Sequence, residues 1–240
     1  KDYDKLASMP EVQAAGLLAL MGVFDLIGTT ASGWLTDRYD PRKLLFMYYG
    51  LRGLALALVL TVTAPGNLYP LPRLNKALSI VVNTFRAIPF IILLVAMLPF
   101  TRMLVGTTLG TWAAIVPLSA NLVPFFARIA QVSLNDVDHG LVEAARAMGC
   151  RRWHIVRHVL LPEALPGIVG GMTVSVIAMI NASAMAGAVG AGGLGDLAIR
   201  YGYERYETRV MFEVIVILIA LVSIVQFTGE WLARRADHKR

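Results

Sequence analysis

The chain has 240 residues, 57% of them hydrophobic and 16% charged, with a net charge of +6. Its mean hydropathy is +0.63. Soluble domains carry about 25% charged residues, so the composition excludes a soluble globular protein. The positive charge sits between hydrophobic runs, where basic loops orient spans. No separate basic face exists for nucleic acid, which is excluded as a partner; membrane lipid is the expected surround.

An apolar run of about 20 residues crosses a bilayer core as one helix, and about six such runs predict an all-α, polytopic transmembrane fold. They are Glu11–Leu35, Leu44–Thr63, Ile88–Val105, Thr111–Arg128, Leu165–Ala188 and Val210–Leu232. The period-2 alternation of a membrane barrel is absent. The polar opening Lys1–Pro10 precedes a run long enough to span, so that run reads as a helix and not as a cleaved leader. The lone Cys150 excludes an internal disulfide.

The first run carries Asp25, an intramembrane acid that either pairs with a neighbouring helix or serves function. After it come small residues and the segment Gly33-Trp-Leu-Thr-Asp37-Arg38-Tyr-Asp40-Pro41-Arg42-Lys43. Gly33, Asp37, Arg38, Arg42 and Lys43 resemble the loop signature of the major facilitator superfamily, and Asp40 stands where that family has glycine. Pro41 suits the first turn of the next helix. Ala64-Pro-Gly-Asn67, with Pro70 and Pro72 beyond, is a turn signal and a candidate boundary. It divides a facilitator-like helix pair, residues 1–60, from a second membrane domain, residues 61–240.

Leu74–Phe85 mixes polar and apolar residues as an interfacial stretch would, and Arg86 marks the cytoplasmic edge of the third run. The fourth run holds Pro117, Asn121 and Pro124. Its prolines kink the helix and free carbonyls, as packing kinks or beside Asn121 on a substrate path.

The longest polar interruption is Gln131–Arg157. Arg146, Arg151, Arg152 and Arg157 place it in the cytoplasm. Asp136 and Asp138 suit a helix N-terminus, Gly149 a helix end, and Trp153–Leu161 a second helical stretch leading back to the membrane. The segment Glu143-Ala144-Ala145-x3-Gly149-x9-Val159-x-Leu161-Pro162 resembles the signature of the permease subunits of binding-protein-dependent ABC importers, with valine in place of isoleucine. Asn83-Thr-Phe-Arg86-Ala-Ile-Pro89, Leu160-Leu-Pro162-Glu-Ala-Leu-Pro166-Gly and Gly187-Ala-Val-Gly-Ala-Gly-Gly-Leu-Gly195 extend the resemblance over residues 62–235, toward methionine-importing members.

That resemblance implies a five-span permease core with a cytoplasmic coupling helix in the bacterial inner membrane. It implies a permease homodimer, an ATP-binding cassette subunit and an extracytoplasmic substrate-binding lipoprotein. The chain would bind no cofactor; ATP, magnesium and hydrolysis belong to the partner subunit. Glu143, Ala144, Ala145, Met148, Gly149, Arg151 and Trp153 are the expected ATPase-coupling residues. Small Ala144 and Ala145 permit close docking, and charges orient it. Closure of the partner would rock the attached spans in alternating access.

Asn121, Asn181, Ser183 and Met185 are candidates for the translocation pathway, because polar groups in a span face protein or cavity. Cys150, His154 and His158 recur every four residues, but the arginines around them disfavour a metal cation. The glycine run Gly190–Gly195 lacks the strand and the Lys-Ser or Lys-Thr of a nucleotide loop, and reads as a gate, a re-entrant turn or a linker. No nucleophile and base occur at a catalytic spacing, so no catalytic site is expected.

Counting spans back from a cytoplasmic knob puts Arg38, Arg42 and Lys43 outside, against both the charge rule and the facilitator likeness. A chimera joined near residues 58–63 accounts for that conflict. Beside the importer permease, a facilitator fragment and a fusion without activity stay open on the residues alone.

Overall fold

The computed structural model describes residues 41–237. The first run, Asp25 and residues 33–40 of the facilitator-like segment lie outside the described residues. The architecture below is that of the unit beginning at Gly50.

Helix α1, Pro41–Val62, opens on a proline, which has no N–H to leave unsatisfied at a first turn. Its far end is closed by side chains. Asn75 Nδ2 donates to the Leu60 carbonyl at 2.6 Å, and Asn67 Nδ2 donates to that of Thr61 at 2.8 Å, taking two carbonyls the helix cannot use itself. Tyr69 and Leu71 then donate back to Val62 and Thr63, so Ala64–Leu71 is a hydrogen-bonded turn.

Helix α2 runs Pro72–Ala87 and α3 runs Phe90–Ala96, bent by 102° at the break. Pro89 causes the break: it offers no N–H, and its ring drives Ile88 into extended backbone, where Ile88 lies at φ −80°, ψ 123°. Helix α4, Leu98–Val105, follows with Pro99 in its first turn and ends at left-handed Gly106. Ile88–Val105, expected as one span, is therefore two short helices. Pro99 cannot donate into a continuing helix, so the chain restarts there. The pair α2–α3 is together long and apolar enough for one broken span or a re-entrant loop.

Among the described residues, three helices are long and apolar enough to cross a membrane: Thr111–Asn135, Arg152–Gly187 and Thr208–Ala236. Helix α5, Thr111–Asn135, keeps its course through Pro117 and Pro124, both buried inside it. Helix α6, His139–Ala147, is the short arm after it. The third long element begins as α7, Arg152–Ile155, passes through a π-helical turn at Val156–Leu160 and continues as α8, Leu161–Gly187. A small helix α9, Gly193–Leu197, and a π-helical segment Ala198–Tyr203 lead to α10, Thr208–Ala236. No strand occurs among the described residues.

The core forms where α1, α5 and α8 meet. Ala57 and Leu160 are buried with Phe126, Ala127, Ala130, Leu134, Ala164 and Ile168. Alanines dominate because membrane helices gain from close van der Waals approach, not from expelling water. Val174, Phe212, Ile219 and Phe227 remain exposed; on a spanning helix such residues face lipid or another membrane chain.

Candidate functional site

The site grows from the end of α5. Asp138 caps α6, its Oδ1 accepting from the Gly140 N–H at 2.8 Å. At the other end Gly149 lies at φ +77°. Its N–H donates to the Arg146 carbonyl at 2.9 Å, and that of Cys150 donates to Ala145 at 3.1 Å. This paired closure requires a left-handed residue where glycine stands. Helix, glycine turn and helix thus follow one another as the motif spacing predicts.

The elbow rests on a small apolar base. Ala145, Ile155 and Val156 are buried with Leu68, and Val142, Cys150 and Val159 pack against them. Leu58 and Leu161 touch both this cluster and the main core, which fastens the arm to α1 and α8. The Arg152 guanidinium lies 5.0 Å from the Tyr69 ring centroid, within cation–π range.

The opposite face is open. Met148 is 76% and Trp153 65% exposed, and Glu143, Ala144, Gly149 and Arg151 lie exposed around them. Of the residues expected to couple, six share this outward side. Ala145 does not: it is 4% exposed and points into the base, because a helix this short must bury one stripe to stay attached. Its small size serves packing beneath the arm, not contact above it.

His154 and His158 stack with ring centroids 4.0 Å apart, on the exposed side of the π-helical turn. Cys150 packs toward the apolar base instead. The spacing of four therefore does not place the three on one face, and no cluster of three such ligands occurs among the described residues.

A cavity of about 280 Å³ opens where the α2–α3 break meets α5 and α8. Arg86, Phe90, Asn121, Phe125, Met179 and Ala182 line it. Of the four residues expected on a path, Asn121 lines this cavity, whereas Asn181, Ser183 and Met185 are exposed on α8 and do not line it. Asn181 and Met185 are four residues apart, and Ala178 of the lining is one turn before Asn181, so these lie along one flank of α8. Phe90 and Met179 were not singled out by sequence, and Arg86 was read only as the cytoplasmic edge of run three; the signal available was its place three residues before a helix-breaking proline.

Gly187 and Gly195, at the two ends of the glycine-rich segment, pack closely against backbone, whereas Gly192 and Gly193 between them stand in open space at positive φ. A Cβ on Gly195 would strike the Ala184 backbone, and one on Gly187 the backbone of Gly195 and Asp196. Gly110 donates to the Gly190 carbonyl at 3.1 Å, tying the segment to the start of α5. Asp196 and Arg200 pair at 3.1 Å just beyond.

Residues 53–238 match the family described as binding-protein-dependent transport system inner membrane component. The chain belongs to this family, and is a multi-pass inner-membrane permease component of a transport system. It is 48% identical to a probable D-methionine transport system permease protein of Vibrio cholerae, over 78% of this chain and 83% of that one. It is 40% identical to the methionine import system permease of Bacillus subtilis, over 75% and 82%. Among solved structures it is similar to an inward-facing MetNI methionine ABC transporter, with a TM-score of 0.77 and 46% identity over 81% of this chain and 92% of that one. These matches support the importer reading and lend none to the facilitator alternative.

Proposed function

We propose that the chain is the permease of an ATP-driven methionine importer, and that its α6–α7 elbow receives the ATP-binding subunit. The observation that carries the coupling role is the polarity of the elbow: an outward face with Glu143, Ala144, Met148, Arg151 and Trp153 on an apolar base shared with α8. Exposed methionine and tryptophan beside opposite charges are residue types that anchor protein contacts. Methionine as cargo rests on the names of relatives 40–48% identical. ATP, magnesium and hydrolysis are assigned to the partner, and delivery to an extracytoplasmic binding lipoprotein. Two copies of the permease would enclose the path.

Coupling then works as a lever. Arg152–Gly187 is one helical element of 36 residues, about 54 Å at 1.5 Å per residue, against a hydrocarbon core of about 30 Å. Force applied at the elbow enters the bundle along α8, and the bundle rocks between two openings. Asn121 from the cavity, Asn181 and Met185 from one flank of α8 and Ser183 from its other side are assigned to the path.

The test is co-expression with a methionine-type ATP-binding subunit, followed by purification in detergent and uptake of labelled methionine. A stable complex that Glu143→Arg disrupts, and ATP-dependent uptake, are expected. A membrane-inserted chain that forms no complex would refute the coupling role, and a complex that moves no methionine when supplied with the binding lipoprotein would refute the cargo.

A further inference from the structure

We infer that the 280 Å³ cavity is a substrate station for an α-amino acid with an apolar side chain, and that Arg86 is its carboxylate anchor. The inference rests on the transport reading above and adds where, and by which groups, the permease itself recognises cargo.

The volume is close to the ~300 Å³ lower end of small-molecule pockets, so the cavity takes a single small metabolite and not a peptide or an oligosaccharide. Its lining holds one cation, Arg86, and no carboxylate. A ligand anion is thereby favoured, and a basic side chain has nothing to pair with. Arg86 makes no ion pair or hydrogen bond among the described residues, so its guanidinium fork is available for bidentate contact with a carboxylate.

Two features suit the ammonium group. Asn121 presents an amide oxygen. The C-terminus of α2 ends at Ala87 beside the cavity, where the last carbonyls of a helix lack intrahelical partners and carry partial negative charge. The rest of the lining is apolar and soft: Phe90, Phe125 and Met179 with small Ala182. A thioether packs well against aromatic ring edges.

The experiment uses the purified permease–ATPase complex without the binding protein, so that recognition by the permease alone is read. The probe is the diazirine analogue photo-methionine, followed by peptide mapping, with ATP-driven methionine uptake measured in parallel on the wild-type complex in vesicles supplied with its binding protein. Labelling is expected on peptides bearing Phe90, Phe125 or Met179. Excess methionine should displace the probe, and 3-(methylthio)propylamine, which lacks the carboxylate, should not. Arg86→Gln should raise the probe concentration for half-labelling about tenfold or more, the scale of a lost charged hydrogen bond, and narrow the difference between the two competitors; Arg86→Lys should restore part of it. Ala182→Phe, which fills the cavity from another helix, should abolish labelling. Uptake by the wild type with no labelling at these peptides, or half-labelling within twofold of wild type in Arg86→Gln, overturns the inference alone. A wild-type complex that takes up no methionine overturns the transport reading, and this inference with it.

Discussion

Replacing Gly149 with alanine isolates one physical term. A Cβ there meets no atom within 4 Å, so crowding adds nothing to the cost. What remains is the backbone at φ +77°, where a side chain with Cβ costs about 1–2 kcal/mol. If the turn relaxes to escape that cost, the hydrogen bonds from Gly149 to Arg146 and from Cys150 to Ala145 open, and α7 changes direction relative to α6. The expected result is a fall in affinity for the ATP-binding subunit of roughly 5–30-fold, the equilibrium change that 1–2 kcal/mol produces. Gly149→Asn should lose less, because asparagine tolerates left-handed backbone. The assay is titration of the detergent-purified permease with labelled ATP-binding subunit, with thermal unfolding of the permease as the control. Equal affinities for the glycine, asparagine and alanine forms would refute the claim that this backbone geometry sets the docking face.

Glu143→Arg should abolish co-purification with the ATP-binding subunit while leaving the unfolding midpoint of the permease within the small range of an exposed substitution. Asp138→Ala removes the cap on Gly140 and should destabilise α6 by about 1 kcal/mol, read as faster amide exchange over residues 139–147. Gly195→Ala puts a methyl into the Ala184 backbone, which cannot move aside as a side chain can. It should lower stability by about 1–3 kcal/mol or more, and a midpoint unchanged in detergent would contradict the close packing at Gly195.

The elbow was legible because its signals are local. A capping aspartate, a glycine at the helix end and arginines beside it act within a few residues, so the chain alone carries them. Run three was not legible in its true form. Hydropathy counts apolar residues and treats Ile88–Val105 as continuous, whereas Pro89 and Pro99 interrupt hydrogen bonding within it. Ala145 was misread for a related reason. Two adjacent alanines look equivalent in sequence, yet a helix turns about 100° per residue, and only a partner surface decides which one is covered. That surface is Leu68, Ile155 and Val156, and Leu68 comes from the far side of a turn that reads in sequence only as a boundary. Of the cavity's lining only Asn121 was a path candidate in sequence, since much of the rest comes from α2, α3 and α8, brought together by the fold.

The two apolar clusters bear on how a push at the elbow is transmitted. A docking arm carried on a mobile loop would absorb motion of its partner, because loop openings cost little. Here Leu58 and Leu161 belong to the surroundings of both the elbow base and the main core, so displacing the arm means disturbing packing in the bundle. The helix from Arg152 to Gly187 stays helical throughout, but the π-helical turn at Val156–Leu160 interrupts its regular ladder just where it leaves the elbow. Val156 and Leu160 of that turn are buried, one in each cluster. The irregular turn is therefore clamped on both sides, and bending there would require both clusters to open together. Stiffness at this joint follows from packing and not from helix regularity, so a cavity-forming Leu160→Ala should uncouple ATP hydrolysis from transport before it unfolds the chain.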